Sequence, residues 1–284
     1  MINKKSKTLS LNDISFDERE INSVLKILKS GWISNGKNVK KFENKFATFI
    51  GSKYGIAVNS GSSANLIALS AVIKKYNIKK GDEVIIPAAT FATVPMPIIQ
   101  LGLIPVYVDI NLDDLNIDVL EIEKAISKKT KIIMPVHTLG IPAKMKEINK
   151  IAKKRNLIVI EDCCEAHGAK VDGKYVGSLG KLSCFSFFVA HHITTGEGGM
   201  VLTDDKELRE ICISLREFGR INQNEISKNR YYSDDILKNY DKRYVFKNIG
   251  YNLRMTEIAA GIGNEQIKKM KRIIKIRVSN TKYL

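Results

Sequence analysis

Between residues 54 and 203 short apolar runs alternate with longer amphipathic ones, and this alternation constrains the fold more than any other feature of the chain. The runs at residues 54–59, 83–87, 106–110, 131–136 and 157–161 have the length and the Val/Ile content of buried strands. Between them, residues 60–72, a stretch from about 93, residues 119–127 and residues 145–155 carry apolar side chains at helical spacing. Such alternation predicts an α/β fold: a mostly parallel sheet covered by helices on both faces. Upstream, a helix over 17–28, a break at Ser30-Gly-Trp-Ile-Ser-Asn-Gly36 and a second helix over 39–50 lead into the first strand. Downstream come a strand over 200–203, a helix over 205–218 and a polar segment, 219–242, read as a long loop or lid. A last helix, opened by Thr256, runs in basic sequence to Leu284.

At 284 residues the chain can bury a sizeable core, and with 44% hydrophobic and 27% charged residues it has the composition of a globular protein. No apolar run approaches the roughly 18 residues of a membrane span, and no apolar segment follows the first lysines, so a cytoplasmic location is expected. The four cysteines, Cys163, Cys164, Cys184 and Cys212, have no metal-ligand spacing and read as reduced, buried, small hydrophobes. The formal charge of +16 is spread over short pairs such as Lys79-Lys80 and Lys153-Lys154. There is no basic arm and no basic/aromatic interleaving, which argues against nucleic acid as a partner.

Open parallel sheets collect ligands at the carboxyl ends of their strands. Those ends carry Phe91, His137, Asp162 and Ser186 here. The turn Ser60-Gly-Ser-Ser-Ala-Asn65 passes from a strand into a helix N-terminus, a place for an anion or simply a serine cap. Asp162 closes the run Leu157-Ile-Val-Ile-Glu-Asp, where an ionised carboxylate needs a cationic partner or a neighbouring loop to hold. A protonated heterocycle would serve as that cation. The stretch Cys184-Phe-Ser-Phe-Phe-Val-Ala-His-His-Ile-Thr-Thr-Gly-Glu-Gly-Gly199 sets one hydroxyl, two adjacent imidazoles and a glycine-rich turn at the end of another strand.

Six ordered landmarks together resemble the DegT/DnrJ/StrS family of sugar aminotransferases and dehydratases. They are Ser60-Gly-Ser-Ser-Ala-Asn, Pro87-Ala-Ala-Thr-Phe-Ala-Thr, Val108-Asp-Ile with Leu115-Asn-Ile-Asp, Glu161-Asp-Cys-Cys-Glu-Ala-His-Gly, the FSF stretch with Gly-Glu-Gly-Gly, and Gly250-Tyr-Asn-Leu-Arg-Met. The resemblance implies the large domain of type I pyridoxal-phosphate-dependent transferases. It sets out an N-terminal arm and helix in 1–30, the cofactor-binding domain in 31–255, and in 256–284 a connecting helix toward a small domain largely absent from this chain. It implies pyridoxal or pyridoxamine 5'-phosphate as cofactor, held at the phosphate by Gly61, Ser62, Ser63 and Ser186, with Asn252 reaching in from the second subunit of a homodimer. Phe91 would stack on the pyridine ring, Asp162 would pair with its nitrogen, and Glu165 would lie near the ring hydroxyl, where many relatives have glutamine.

One position departs from the aminotransferase pattern. Aminotransferases of the family carry, five residues after the FSF serine, the lysine that holds the cofactor covalently; here that position is His191. Imidazole cannot condense with an aldehyde, and His191-His192-Ile-Thr is similar instead to the branch that removes the C3 hydroxyl of nucleotide-linked 4-keto-6-deoxy sugars for surface polysaccharides. The resemblance makes His191 the general base. One sub-type of that branch carries an iron–sulfur cluster, but only Cys212 follows His191, so no cluster and no metal are expected. Glutamate is then the expected amino donor, although Arg216-Glu-Phe-Gly-Arg220 looks at least as much like the cluster-bearing sub-type. A nucleotide-sugar aminotransferase and a catalytically silent family member are the alternatives.

Overall fold

A computed structural model describes residues 14–221 and 241–283. Seven strands form one sheet: β1 (Tyr54–Val58), β2 (Glu83–Pro87), β3 (Ile104–Val108), β4 (Thr130–Ile133), β5 (Ile158–Asp162), β8 (Leu182–Ser186) and β9 (Gly199–Thr203), in the order β1-β9-β8-β5-β4-β2-β3. A short hairpin, β6 (Lys170–Val171) with β7 (Lys174–Tyr175), stands apart. Strand β9 runs antiparallel to both its neighbours, whereas the pairings among β2, β3, β4, β5 and β8 are all parallel. The exception follows from the connections. Crossovers, helical except for the β5–β8 step with its β6–β7 hairpin, return the chain to the same end of the sheet, while β8 and β9 are joined by a loop that reverses it.

Helices cover both faces, as the alternation predicts. On one face α3 (Gly61–Tyr76), α4 (Pro95–Gln100) and α7 (Lys206–Arg216) pack on Ile56, Val58, Ile86, Ile160 and Cys184. On the other, α2 (Lys37–Ile50) and the 27-residue α8 (Glu257–Tyr283) enclose Ala57, Phe185 and Met200. Helices α5 (Val119–Ala125) and α6 (Met145–Arg155) cover Ile85, Ile133 and Val159. Neighbouring residues such as Cys184 and Phe185 thus enter different cores, which is why these strands are apolar throughout instead of alternating. Helix α1 (Glu18–Ser30) lies against α8 and begins with a capping box, in which Asp17 and Glu20 satisfy each other's backbone N–H groups.

The structure corrects several sequence boundaries. Strand β3 lies two residues earlier than expected, because Asp109 and Ile110 turn away to meet Asp118 and Ile117. Strand β4 stops at Ile133 and not at 136, ahead of Pro135, which has no N–H to give a ladder. The β6–β7 hairpin went unread, since two-residue strands have no periodicity to detect. Thr256 opens α8 as expected, its hydroxyl accepting the Ala259 N–H at 3.2 Å. Most of the expected lid, residues 222–240, lies outside the described residues, as does 1–13 of the N-terminal arm. Among the described residues no helix is long and apolar enough to cross a membrane.

Candidate active site

The ends of β1 and β8 flank the start of β9: Gly199 is in register with both Val58 and Ser186. From this corner the 16-residue α3 departs, its N-cap Ser60 taking the Ser63 N–H at 3.1 Å. The approach is so close that only glycine fits at two points. A Cβ on Gly199 would lie 2.1 Å from the Ser60 carbonyl oxygen, and one on Gly61 would lie 2.6 Å from the Ser186 Cβ. The first N–H groups of α3 have no carbonyl a turn earlier to bond and point, with the positive end of the helix dipole, into this corner. Ser62 is exposed on that first turn, and the Ser186 hydroxyl stands alongside, accepting the Phe188 N–H at 3.3 Å. Ser63 is placed differently: its hydroxyl is buried and donates to Asn59 Oδ1 at 2.6 Å. Free N–H groups, hydroxyls and a helix dipole within a cradle that a Cβ would fill fit a phosphate ester.

Asp162, 4% exposed, stands at the end of β5. Its Oδ1 accepts the Cys164 N–H at 3.0 Å and its Oδ2 accepts Asn65 Nδ2 at 2.8 Å. The same amide nitrogen donates to the Thr93 carbonyl at 3.1 Å, tying α3 to the loop that carries Phe91. The Phe91 ring is 73% exposed, a wide apolar face with nothing packed over most of it. Asn65 is the functional residue that sequence reading passed over. Its signal was present: four residues after Gly61 on one helix, it shares that glycine's face. With two donors bound, the Asp162 carboxylate keeps acceptor capacity for a further N–H, and a buried anion is best matched by one carrying positive charge.

The β8–β9 loop is folded tightly on itself. Phe187 N–H donates to the Gly198 carbonyl at 2.8 Å, Thr195 N–H and the Thr194 hydroxyl both reach the Phe187 carbonyl, and His191 N–H reaches Phe188 at 3.1 Å. This fold presents His191 half-buried, its ring meeting Phe188 edge-on at 6.2 Å. Burial draws the His191 pKa below 6.5, against the opposing pull of Glu165 and Asp162. His192 is drawn down to about 4 by burial, helped by Arg277 of α8 and by His191. Both are therefore free bases at neutral pH. Behind them is a third imidazole, His167, wholly buried and held well below the usual range, first by burial.

Glu165 is fixed by the Leu139 N–H, which donates to its Oε2 at 2.9 Å from a turn where Leu139 is left-handed (φ +52°). Asn252 is exposed, with its Oδ1 accepting from Arg254 Nε at 3.1 Å; the next carbonyl, of Leu253, takes the Asn59 N–H at 3.0 Å beside the phosphate corner. His137, one of the expected strand-end residues, is a core residue instead. Its Nε2 meets Glu161 at 3.1 Å and its Nδ1 accepts the Ala143 N–H at 3.0 Å. His137, Glu161 and Cys163 are close enough to surround an ion, but the Glu161 oxygens are already taken by the N–H groups of Gly177, Leu179 and Gly180. Cys212 lies on the buried face of α7, its thiol pushed up to about 12 by burial.

A doubly covered sheet with an anion corner, a buried carboxylate and an exposed aromatic face at its strand ends defines an enzyme of the pyridoxal-phosphate transferase type. The chain belongs to the DegT/DnrJ/EryC1/StrS aminotransferase family, whose model matches residues 15–284. It is 39% identical over 268 residues to the GDP-4-keto-6-deoxy-D-mannose 3-dehydratase of Yersinia pseudotuberculosis, covering 94% of this chain and 68% of that protein. To the GDP-perosamine synthase of Escherichia coli O157:H7 it is 41% identical over 256 residues, 90% of this chain and 64% of the relative. A solved GDP-4-keto-6-deoxymannose-3-dehydratase carrying a trapped adduct of PLP and glutamate superimposes with a TM-score of 0.90 at 37% identity. That match covers 97% of this chain and 72% of the other.

Proposed function

We propose that this protein is a pyridoxal/pyridoxamine-phosphate-dependent 3-dehydratase of a nucleotide-linked 4-keto-6-deoxy sugar, serving surface-polysaccharide synthesis. The observation that carries the reading is His191. A free-base imidazole stands on the tightly pinned loop where the family's aminotransferases have lysine, within the electrostatic reach of Asp162 and Glu165. Gly61, Ser62 and Ser186 would hold the cofactor phosphate, with Ser63 keeping the cap in shape. Phe91 would cover one face of the ring, and Asp162, aimed by Asn65, would accept the pyridinium N–H and balance its positive charge. When bound, the cofactor supplies an electron sink conjugated to the sugar carbons. His191 takes a carbon-bound proton onto a ring nitrogen and gives a proton to the departing C3 hydroxyl, which leaves as water; a base with pKa below 6.5 is ready for the first of these at neutral pH. Glu165, fixed by the Leu139 N–H, would lie near the ring hydroxyl and favour the imidazolium that forms at His191.

Glutamate is the proposed amino donor, and a homodimer with Asn252 crossing to the partner's cofactor the proposed assembly. Residues 31–255 form the cofactor-binding domain in this reading, and four free thiols support a cytoplasmic location. Amino transfer to the same class of sugar is the second reading, favoured by the GDP-perosamine synthase relative. The deciding experiment supplies GDP-4-keto-6-deoxymannose, cofactor and glutamate and identifies the product. A 3-deoxy sugar with release of 2-oxoglutarate and ammonia supports dehydration; a 4-amino sugar overturns it; no turnover of this or other 4-keto-6-deoxy nucleotide sugars points to the silent member.

A further inference from the structure

The mechanism above uses one imidazole, yet the fold gathers three. His167, 1% exposed, is walled by Phe46, Phe185 and Phe187, with ring centroids 6.0, 5.4 and 5.8 Å away. Phenylalanine would fill such a space with no polar atom to bury. Neither His167 ring nitrogen closes a hydrogen bond of good geometry, the Ser186 carbonyl being an acceptor near the ring, and among the described residues the only other buried imidazole nitrogen in that position is Nδ1 of His192. Buried polar groups in native proteins are paired, so two unpaired rings side by side call for an explanation.

The distances supply one. The His167 and His192 centroids are 5.3 Å apart, with the ring planes inclined at 37°. Two imidazoles joined by an N–H···N bond of about 2.9 Å, each nitrogen roughly 1.1 Å from its centroid, need a separation of about 5.1 Å. Half a turn about the Cβ–Cγ bond exchanges carbon and nitrogen on a histidine ring without moving the ring as a whole. His191, at 6.1 Å from His167, lies beyond that reach.

We propose that His167 and His192 form an N–H···N imidazole pair that fixes the tautomer and ring orientation of His192 and, through the shared peptide, the aim of His191. His167 is then a positioning residue, acting on the base through its neighbour. The charged groups around the three rings are Asp162 at the end of β5, Glu165 after it and Arg277 on α8; α2 presents a phenylalanine face, and β8 presents Phe185 and the uncharged Ser186 carbonyl. Burial and Arg277 both keep the pair uncharged, so the shared hydrogen lies between two neutral rings and no proton need enter or leave. The effect on rate rests on His191 being the base of the dehydratase reading; the pair itself does not.

Ring-¹⁵N NMR of histidine-labelled protein with its cofactor tests this directly. His192 is expected in a single tautomer, with a slowly exchanging ring N–H coupled to His167. His167→Phe keeps the aromatic cluster and should return His192 to a mixture of tautomers. It should also lower kcat by 3- to 30-fold at nearly constant KM and move the acid limb of the kcat/KM profile. His167→Gln, which can donate and accept, should restore most of each. A wild-type His192 averaging between tautomers overturns the pair with no variant needed, as do Phe and Gln variants that behave alike. If the tautomer lock exists and breaks in His167→Phe while no variant dehydrates the sugar, the pair stands and the dehydratase reading falls.

Discussion

Glu161 and Asp162 are consecutive on β5, both buried, both acidic, and they do opposite things. Neighbouring residues on a strand face opposite sides of the sheet. Glu161 turns to the side where Gly177, Leu179 and Gly180 each give it an N–H and His137 gives a ring nitrogen, at distances between 2.6 and 3.1 Å. A carboxylate has about four acceptor sites, and these are filled. Asp162 turns to the side of α3 and has two donors, Cys164 N–H and Asn65, with capacity to spare. The histidines divide the same way: His137 has a well-formed partner on each nitrogen, whereas His167 closes no hydrogen bond of good geometry outside the proposed pair and His192 lacks one on Nδ1. A titratable group whose hydrogen bonds close within the protein holds the fold; one left open faces chemistry.

That contrast is broken most sharply at the base. His191→Asn should lower dehydration by the 10²–10⁴-fold typical of a positioned general base, with cofactor still bound, as read by cofactor absorbance and product assay. His137→Asn should instead lower the melting temperature and leave the rate per folded molecule nearly unchanged. Near-normal turnover in His191→Asn would move the catalyst elsewhere.

The two carboxylates give the next test. Asp162→Asn removes the charge that balances a protonated ring and should cost roughly two to three powers of ten in kcat, in keeping with loss of a preorganised electrostatic partner. Its urea midpoint should fall less than that of Glu161→Gln, because the new amide opposes one donor and not two. Glu161→Gln places an amide N–H₂ against backbone N–H donors, leaving buried donors unpaired, and should destabilise by about 2–4 kcal/mol. If both variants lose mainly stability, hydrogen-bond closure does not separate the two roles.

Much of this was legible in the sequence because strand, helix and turn signals there agree. Ser60 caps the helix it was expected to open, and Asp162 and Ser186 stand at the strand ends that the alternation assigned. What was not legible depended on contacts across the fold. His137 follows an apolar run as Asp162 does, and only the Ala143 N–H and Glu161 reveal it as a core residue. Asn65 and His167 were visible inside quoted motifs, but their roles come from Asp162, 97 positions away, and from His192 across the β8–β9 loop. The resemblance named roles for single residues; the geometry shows which residues aim them.

The phosphate corner gives an intermediate effect. Gly61→Ala sets a Cβ 2.6 Å from the Ser186 Cβ and 3.1 Å from Cys164 Sγ, inside a closed junction. Overpacking of this kind costs about 1–3 kcal/mol, and here it should also push Ser186 off the phosphate. Cofactor affinity, measured by equilibrium dialysis, should fall about tenfold or more, whereas Gly31→Ala, at a helix end with open space around it, should leave affinity untouched.

The smallest expected effect is on stability against pH, and it reports on the buried histidines of the site, His191 included. In the unfolded chain His192 titrates near 6.5, but in the fold at about 4, chiefly because charging it would bury an ion. Above pH 6.5 both states are neutral and the residue contributes no pH dependence. As pH falls from 6.5 toward 4 the unfolded chain binds a proton that the folded chain refuses, so stability falls with pH and the loss is complete below about 4. His167 shifts in the same direction from the same cause and adds to the slope. Thermal melts of the wild type from pH 7.5 to 4.5 should therefore decline across this window. His167→Phe should flatten part of the decline by removing one group that the fold cannot charge. An equal slope in the variant would mean that His167 is not held neutral by burial, and the distinction between closed and open titratable groups would fail at its most buried member.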